Sequence, residues 1–404
     1  MGNRLQRITF RLLVSGFCAG MIAFSTGCAS MSGAETKPVE IEKKFTGDPA
    51  LPKSIYVFHD GTRNDADSGT NVRKLFEAVL AAGDPQAVAV YIQGVGSDAT
   101  PILGTLNGLG MEQRILRGYD FIAQSYRPGD AVYIFGFSRG AHSARALAGL
   151  IAYAGVPSAS PLDSDQRLRQ LDRMIEIVKR KNDADYADAW KSWKPGMEAP
   201  LAQEVRNKMG LLTRPVEIQF LGVWDTVPGS NFKTFGKCKE LPDRRDGDRY
   251  KSDSYPPIRK IFHAVSADEK RSKFQPILLC PAMHPDYTVV VETWFPGAHS
   301  DVGGDYSDSQ ALSNLSLYWM MDALRGSGVT LPQAPQSAGD PRGLAHWSIG
   351  DRPGNLGSEC QDRLIPPGAV MHPSVQARRD AGTVPVRING ATKSLPYPMS
   401  CSGK

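Results

Sequence analysis

Within the first half of the chain lies the pentapeptide Gly136-Phe137-Ser138-Arg139-Gly140. It matches the pattern G-x-S-x-G, with an apolar run before it at 131–137 and a run of small residues after it at 141–154. A strand, a tight turn that carries a serine and then a helix are the context of a nucleophile elbow. Glycines flank the serine in such an elbow because the turn is too crowded for a Cβ. A tight Gly/Ser turn without catalytic meaning is the alternative interpretation.

Short apolar runs alternate with helical patterns on both sides of this turn. The predicted strands cover 55–58, 87–92, 131–137, 216–224 and 287–294, and the predicted helices cover 71–82, 111–126, 141–154 and 258–268. This alternation is typical of a mostly parallel sheet with helices on both faces. The sequence therefore predicts an α/β fold of the α/β-hydrolase type.

One charged segment, 157–215, interrupts the alternation and carries an apolar stripe at helical spacing, from Leu168 to Val178. We interpret it as a helical cap inserted into a catalytic domain that spans residues 53–380. Residues 381–404 are then a C-terminal tail.

The N-terminus has the features of an export signal. Arg4, Arg7 and Arg11 give it a basic start without an acidic residue. An apolar run at 12–24 follows, and then Ser25-Thr26-Gly27-Cys28. Small residues before a cysteine resemble the lipobox of bacterial lipoproteins, although Ser25 stands where leucine is usual. We therefore predict a lipoprotein signal peptide at 1–27, lipidation of Cys28, and a flexible tether at 28–52. A plain secretory signal cut near Ala29 is the alternative.

Composition limits the possible partners. The 404 residues include 47 Lys plus Arg and 42 Asp plus Glu, for a net charge of +5. Three of the arginines belong to the predicted signal, and no basic run follows it, so no nucleic-acid partner is expected. The expected location is the bacterial cell envelope, where a lipid at Cys28 would anchor a catalytic domain facing the periplasm or the cell surface.

Four cysteines lie beyond the predicted anchor: Cys238, Cys280, Cys360 and Cys401. They show no zinc-like spacing with one another or with histidine, so we expect neither a metal nor another cofactor. In an oxidising compartment they predict at least one disulfide, whose pairing stays open.

An elbow serine requires a base and an acid that orients the base. In α/β-hydrolases the acid and then the histidine follow later strands. Asp225 directly follows the predicted strand 216–224, and His299 lies in a glycine-bearing loop after the last strand. We therefore predict a triad of Ser138, Asp225 and His299. His372 is the alternative base, whereas packing roles are expected for His142 and His263.

Two backbone N–H groups are expected to bind the oxyanion. One belongs to Arg139, the residue after the nucleophile, and the other to Gly61, in a loop after the first strand. Asp60 is expected to fix that loop rather than to take part in the chemistry.

Six blocks of sequence, in this order, resemble the catalytic domain of type VI secretion phospholipase effectors, an α/β-hydrolase family. The blocks cover 59–64, 136–141, 222–227, 263–271, 294–304 and 372–375. The resemblance implies a serine esterase that acts on phospholipid acyl chains, and it places the triad on the same Ser138, Asp225 and His299. An export signal departs from this family, whose effectors normally lack one.

These observations together predict a serine hydrolase of lipid esters, with phospholipid acyl esters as the expected substrate. Two other functions stay open. One is a metal-dependent phosphoesterase that would use His59, Asp60, His299 and Asp301. The other is a lipoprotein that binds lipid without catalysis.

Overall fold

The structure is a computed structural model that describes residues 40–96, 109–227, 254–333, 339–349 and 358–401. The predicted signal peptide, Cys28, the tether up to residue 39, and Cys238 lie outside the described residues.

Eight strands form the central sheet, in the order β1-β3-β2-β4-β7-β8-β9-β11. The strands of the chain are β1 (Glu40–Lys43), β2 (Ser54–His59), β3 (Ala87–Ile92), β4 (Ala131–Phe137), β5 (Val156–Pro157), β6 (Thr213–Arg214), β7 (Ile218–Trp224), β8 (Lys260–Ser266), β9 (Val289–Phe295), β10 (Ala345–His346), β11 (Val370–Met371), β12 (Thr383–Ile388) and β13 (Ala391–Pro396). Within the central sheet every pairing is parallel except that of β1 with β3.

Helices cover both faces of this sheet. They are α1 (Asn71–Ala81), α2 (Leu109–Ser125), α3 (Arg139–Ala154), α4 (Ser164–Lys179), α5 (Ala187–Lys191), α6 (Ala202–Met209), α7 (His299–Gly303), α8 (Ala311–Arg325) and α9 (Pro373–Asp380). Side chains of α2 and α3 build the core on one face, and those of α1 and α8 build it on the other. The predicted α/β architecture is confirmed: a mostly parallel sheet carries helices on both faces.

The predicted helix 258–268 is wrong, because β8 occupies its centre. Ile261, Phe262 and Val265 have a spacing that fits one face of a helix, but β8 lies between β7 and β9 with helices on both sides. A strand buried on both faces shows no apolar–polar alternation, and so its pattern is easily mistaken for a helix.

The segment 157–215 is helical, as expected, but its contacts do not make it a cap over the serine. Apolar side chains of α4 join the core formed by α2 and α3. Trp190 of α5 packs on Tyr153, at the opposite end of α3 from Ser138, with ring centroids 4.9 Å apart. The segment therefore covers the outer side of the helix layer in the part of the chain that the structure describes.

Both predicted flanking segments contain ordered strands. Within the predicted tether, β1 pairs antiparallel with β3 at the edge of the sheet. Within the predicted tail, β13 pairs with β12, which is also bonded to β10 in a separate three-stranded sheet. The expected disulfide is present and joins Cys360 to Cys401, and Cys280 is disulfide-bonded as well.

Among the described residues, none of the helices combines the length and apolar character needed to span a bilayer.

Candidate active site

The turn between β4 and α3 has the geometry of a nucleophile elbow. Ser138 has φ 59° and ψ −124°, a conformation that non-glycine residues rarely adopt. A Cβ on Gly136 would lie 2.3 Å from the carbonyl oxygen of Gly140, and one on Gly140 would lie 2.3 Å from that of His59. The two glycines are therefore required by backbone packing, which explains the G-x-S-x-G pattern.

The structure brings the three predicted triad residues together. The Ser138 hydroxyl is 2.8 Å from Nε2 of His299, and Nδ1 of His299 is 2.5 Å from Oδ2 of Asp225. All three residues are buried and follow the carboxyl ends of β4, β7 and β9. The parallel sheet thus assembles, at one edge, side chains that are 74 and 161 positions from His299 in the sequence.

The short helix α7 holds His299 in place. Oδ2 of Asp301 accepts hydrogen bonds from the N–H groups of Ala298 and His346, while its Oδ1 contacts Nδ1 of His346 at 2.7 Å. The backbone N–H of His299 donates to the buried carboxylate of Glu269 at 3.1 Å. The His299 ring therefore reaches Ser138 from a backbone that is fixed on both sides.

Arg363 is a member of the site that the sequence did not predict. Its guanidinium donates to both carboxylate oxygens of Asp225, from Nη1 at 2.5 Å and from Nη2 at 2.8 Å. Both side chains are fully buried. Arg363 lies in an irregular segment far along the chain from Asp225, so no periodicity or motif marks it. Its position three residues after Cys360 is the one feature of the sequence that could have drawn attention to it.

The electrostatics of the triad suit a neutral base beside an ionised acid. Burial alone would raise the pKa of Asp225, but the adjacent Arg363 guanidinium and the hydrogen bond from His299 hold it below its usual range. Burial lowers the pKa of His299 below its ordinary value of 6.5, and the interaction with Asp225 offsets part of that effect. A neutral His299 can accept the proton of Ser138, which is the first step of nucleophilic catalysis.

The other histidines occupy structural positions. His263 lies on β8, not on a helix, and its Nε2 accepts the N–H of Thr226 while its Nδ1 contacts Glu292. His142 is buried on α3. His372, the alternative base, caps α9 and contacts the hydroxyl of Ser374 at 2.7 Å instead of approaching Ser138.

The loop after β2 lies directly against the elbow, as expected for an oxyanion site. A Cβ on Gly61 would lie 3.2 Å from that of Ser138. The N–H of Gly61, however, already donates to Oδ1 of Asp60 at 2.7 Å. Asp60 also accepts hydrogen bonds from Thr70 and Tyr91, so it fixes the loop. The N–H of Thr62, the next residue, has no hydrogen bond within the described ranges.

The four ligands of the alternative metal site are held in separate networks. Asp60 is bound within its loop, His299 within the triad, and Asp301 by His346. The His59 ring faces α2, where a Cβ on Gly118 would lie 2.9 Å from its Nε2. No group of three or more His, Cys, Asp or Glu side chains among the described residues is arranged to hold a metal ion.

A family model described as "T6SS, Phospholipase effector Tle1-like, catalytic domain" matches residues 53–323. The match begins where the predicted catalytic domain begins and ends within α8. It includes Ser138, Asp225 and His299.

A curated protein of Saccharomyces cerevisiae, "Uncharacterized protein YEL023C", is 27% identical over 247 residues, which cover 57% of this chain and 33% of that protein. The chain thus spans about a third of the curated relative it matches. An uncharacterized protein from Pseudomonas aeruginosa is similar in structure, with 19% identity, a TM-score of 0.35, and coverage of 71% of this chain and 47% of that one. The Tle1 effector bound to the VgrG spike gives 20% identity, a TM-score of 0.30, and coverage of 72% and 62%.

Proposed function

Because the chain belongs to the family of Tle1-like phospholipase effector catalytic domains and is a hydrolase, we propose that it cleaves acyl esters of phospholipids through an acyl-enzyme on Ser138. The observation that carries this proposal is the continuous relay from Ser138 through His299 to Asp225. A chain that only bound lipid would not need this relay.

In the proposed reaction, Ser138 attacks the ester carbonyl while Nε2 of His299 takes its proton. Asp225 orients the ring through Nδ1–H and stabilises the imidazolium that forms. His299 then returns the proton to the leaving alcohol, and a water molecule, activated in the same way, releases the fatty acid. The N–H of Arg139 is the first oxyanion donor. The N–H of Thr62 is the second in this conformation, since that of Gly61 is engaged by Asp60.

Apolar side chains next to the base suit an acyl chain as substrate. The ring of Phe137 lies 4.6 Å from that of His299, centroid to centroid, and the ring of Phe274 lies 5.1 Å away on a separate segment. Phe137 is already buried in the core, whereas Phe274 is partly exposed, so an acyl chain entering beside His299 would bury apolar surface against Phe274.

The test compares wild type with Ser138→Ala on vesicles of mixed phospholipids, with mass spectrometry of the released fatty acids and lysolipids. We expect Ser138→Ala to lose at least about 10³-fold in kcat, as for removal of a triad nucleophile. A fluorophosphonate should label wild type and not Ser138→Ala.

The matched control is Ser143→Ala, since Ser143 is also buried on α3 and its hydroxyl bonds only to the carbonyl of Arg139 in the described structure. It should retain activity and labelling. Full activity of Ser138→Ala would refute the acyl-enzyme, and inhibition by a chelator reversed by a divalent ion would favour the metal-dependent phosphoesterase.

A further inference from the structure

The Arg363 guanidinium is held beside Asp225 by four hydrogen bonds, two of them to the Asp225 carboxylate. Besides its two bonds to the carboxylate, Nη1 donates to the carbonyl of Ser266 at 2.7 Å and Nη2 to that of Phe274 at 2.6 Å. A planar guanidinium held at four points has one possible orientation. It therefore defines the plane of the Asp225 carboxylate.

That plane decides how Asp225 meets the base. Oδ1 accepts the backbone N–H of Ser266 at 2.9 Å, and Oδ2 faces Nδ1 of His299 at 2.5 Å. With Arg363 spanning both oxygens, rotation of the carboxylate about its Cβ–Cγ bond would break at least two charge-assisted hydrogen bonds. Arg363 thus keeps Oδ2 directed at the imidazole although it touches neither His299 nor Ser138 in the relay.

Arg363 also changes the charge that His299 experiences. Two ion pairs lie near this ring: the fully buried pair of Asp225 with Arg363, and the pair of buried Glu269 with partly buried Arg271. The charges of each pair cancel formally, so the imidazolium gains less from Asp225 than it would from a lone carboxylate. The ring is otherwise faced by Phe137, Phe274 and the hydroxyl of Ser138.

The segment that delivers Arg363 is attached to the site by several independent contacts. It runs antiparallel to 270–272, where Gln361 N–H donates to the carbonyl of Lys270 at 2.8 Å and Ser272 N–H to that of Glu359 at 2.9 Å. Nζ of Lys270 pairs with Asp362 at 2.7 Å.

A covalent bond adds to these contacts. Cys360, three positions before Arg363 in the sequence, forms a disulfide with Cys401. The hydroxyl of Ser400 and the N–H of Cys401 both donate to the carboxylate of Asp362, between the disulfide and Arg363. The C-terminal end of the described chain is thereby fastened to the residue beside Arg363.

We propose that Arg363 is a positioning residue of the triad, acting through Asp225, and that the Cys360–Cys401 disulfide holds it in place. The proposal rests on the hydrolase function proposed above. It assigns a catalytic consequence to a disulfide that lies outside the triad.

The first test measures kcat, KM and the pH profile of kcat/KM for Arg363→Gln and Arg363→Lys. Arg363→Gln removes the positive charge and the paired N–H donors. We expect kcat to fall about 10–100-fold with KM within about twofold, the cost seen when residues that orient metal ligands are replaced. The acid limb of the kcat/KM profile of this variant should move to higher pH. Without the Arg363 charge, Asp225 is no longer neutralised and stabilises the imidazolium of His299 more strongly. Arg363→Lys keeps the charge, so kcat should fall without that shift.

Arg378→Lys is the matched control. Arg378 is also fully buried, but it bonds to the carbonyls of Pro341 and Gly343, away from the triad. We expect it to leave both kcat and the pH profile unchanged. A purely structural role of Arg363 would instead lower the amount of folded enzyme in both arginine variants without moving the acid limb.

The second test removes the disulfide through the pair Cys360→Ser and Cys401→Ser, which also keeps the proposal testable if Arg363→Gln does not fold. We expect kcat to fall by less than in Arg363→Lys. Combined with Arg363→Lys, the pair should add no further loss, because both changes act on one interaction.

Wild type serves to separate the two proposals. If wild type and Ser138→Ala are equally inactive, the hydrolase function fails. If wild type is active while Arg363→Gln keeps its kcat and pH profile, or the disulfide and arginine effects simply add, the positioning role is overturned.

Discussion

Ser138, Asp225 and His299 could each be predicted from their neighbours in the sequence. Ser138 has flanking glycines, Asp225 ends an apolar run, and His299 sits in a glycine-bearing loop after the last strand. Arg363 could not be predicted in this way, because its partner is 138 positions distant and irregular chain precedes it. A local sequence pattern can reveal a residue whose backbone conformation or position after a strand is constrained. It cannot reveal a residue such as Arg363, which belongs to the site only through its side chain.

The pKa of His299 leads to a prediction at the residue scale. His299 must be neutral to act as a base, and its pKa lies below the ordinary 6.5 because it is buried. As pH falls, activity should therefore persist until the pH drops below 6.5, and the acid limb of kcat/KM reports this group in the free enzyme. We expect a pH–rate profile of wild type to place that limb below 6.5.

His372→Gln is the control for this assignment, because His372 is the alternative base and does not contact the triad. The variant should keep the acid limb of wild type. A limb above pH 6.5, or one that moves in His372→Gln, would contradict the assignment to His299.

At the scale of elements, the apolar pattern of each segment decides how well it can be predicted. Helices α1 and α2 were predicted to within a few residues, since each has an apolar stripe and a polar side. The buried strands β3 and β4 are recognisable as continuous apolar runs, whereas β8 is mistaken for a helix because polar Lys260, His263 and Ser266 interrupt it at helical spacing. β1 escapes prediction because it has only four residues at an edge. The insertion was recognised as helical, but the sequence did not reveal which surface it covers.

The contact between α3 and the loop after β2 leads to a prediction about Gly140. A Cβ at this position would lie 2.3 Å from the carbonyl of His59 and 2.4 Å from that of Asp60, and both are backbone atoms that cannot turn aside. Gly140→Ala must push α3 away from this loop, which separates Ser138 from the oxyanion donors. We expect about 1–3 kcal/mol lower stability, as for overpacking, and a fall in kcat.

Chemical denaturation and phospholipid hydrolysis, measured on the same preparation, check this prediction. Gly326→Ala is the control, since Gly326 has φ −64° and the nearest atoms to an added Cβ lie 3.5 Å away. It should fold and act like wild type. Equal behaviour of Gly140→Ala and Gly326→Ala would mean that the elbow tolerates the displacement.

At the scale of the whole molecule, the family match ends before the last member of the candidate site. The family match covers 53–323, whereas Arg363 and the disulfide lie beyond it. The segment beyond the match thus contributes a charged group to the site, and a domain cut at the end of the match would lack it.

The predicted lipid anchor leads to the last prediction, on where the hydrolase acts. Acyl chains on Cys28 would contribute about 0.8 kcal/mol per buried CH₂ and keep the active site beside its proposed phospholipid substrate. We therefore expect Cys28→Ser to move the protein from the membrane fraction to the soluble fraction, with hydrolysis of detergent-dispersed substrate unchanged. Cys18→Ser, which alters a cysteine within the predicted signal, should leave the protein in the membrane fraction. Intact-mass measurement should find a lipid-modified N-terminal Cys28 in wild type. An unmodified wild-type chain would rule the anchor out and favour the plain secretory signal.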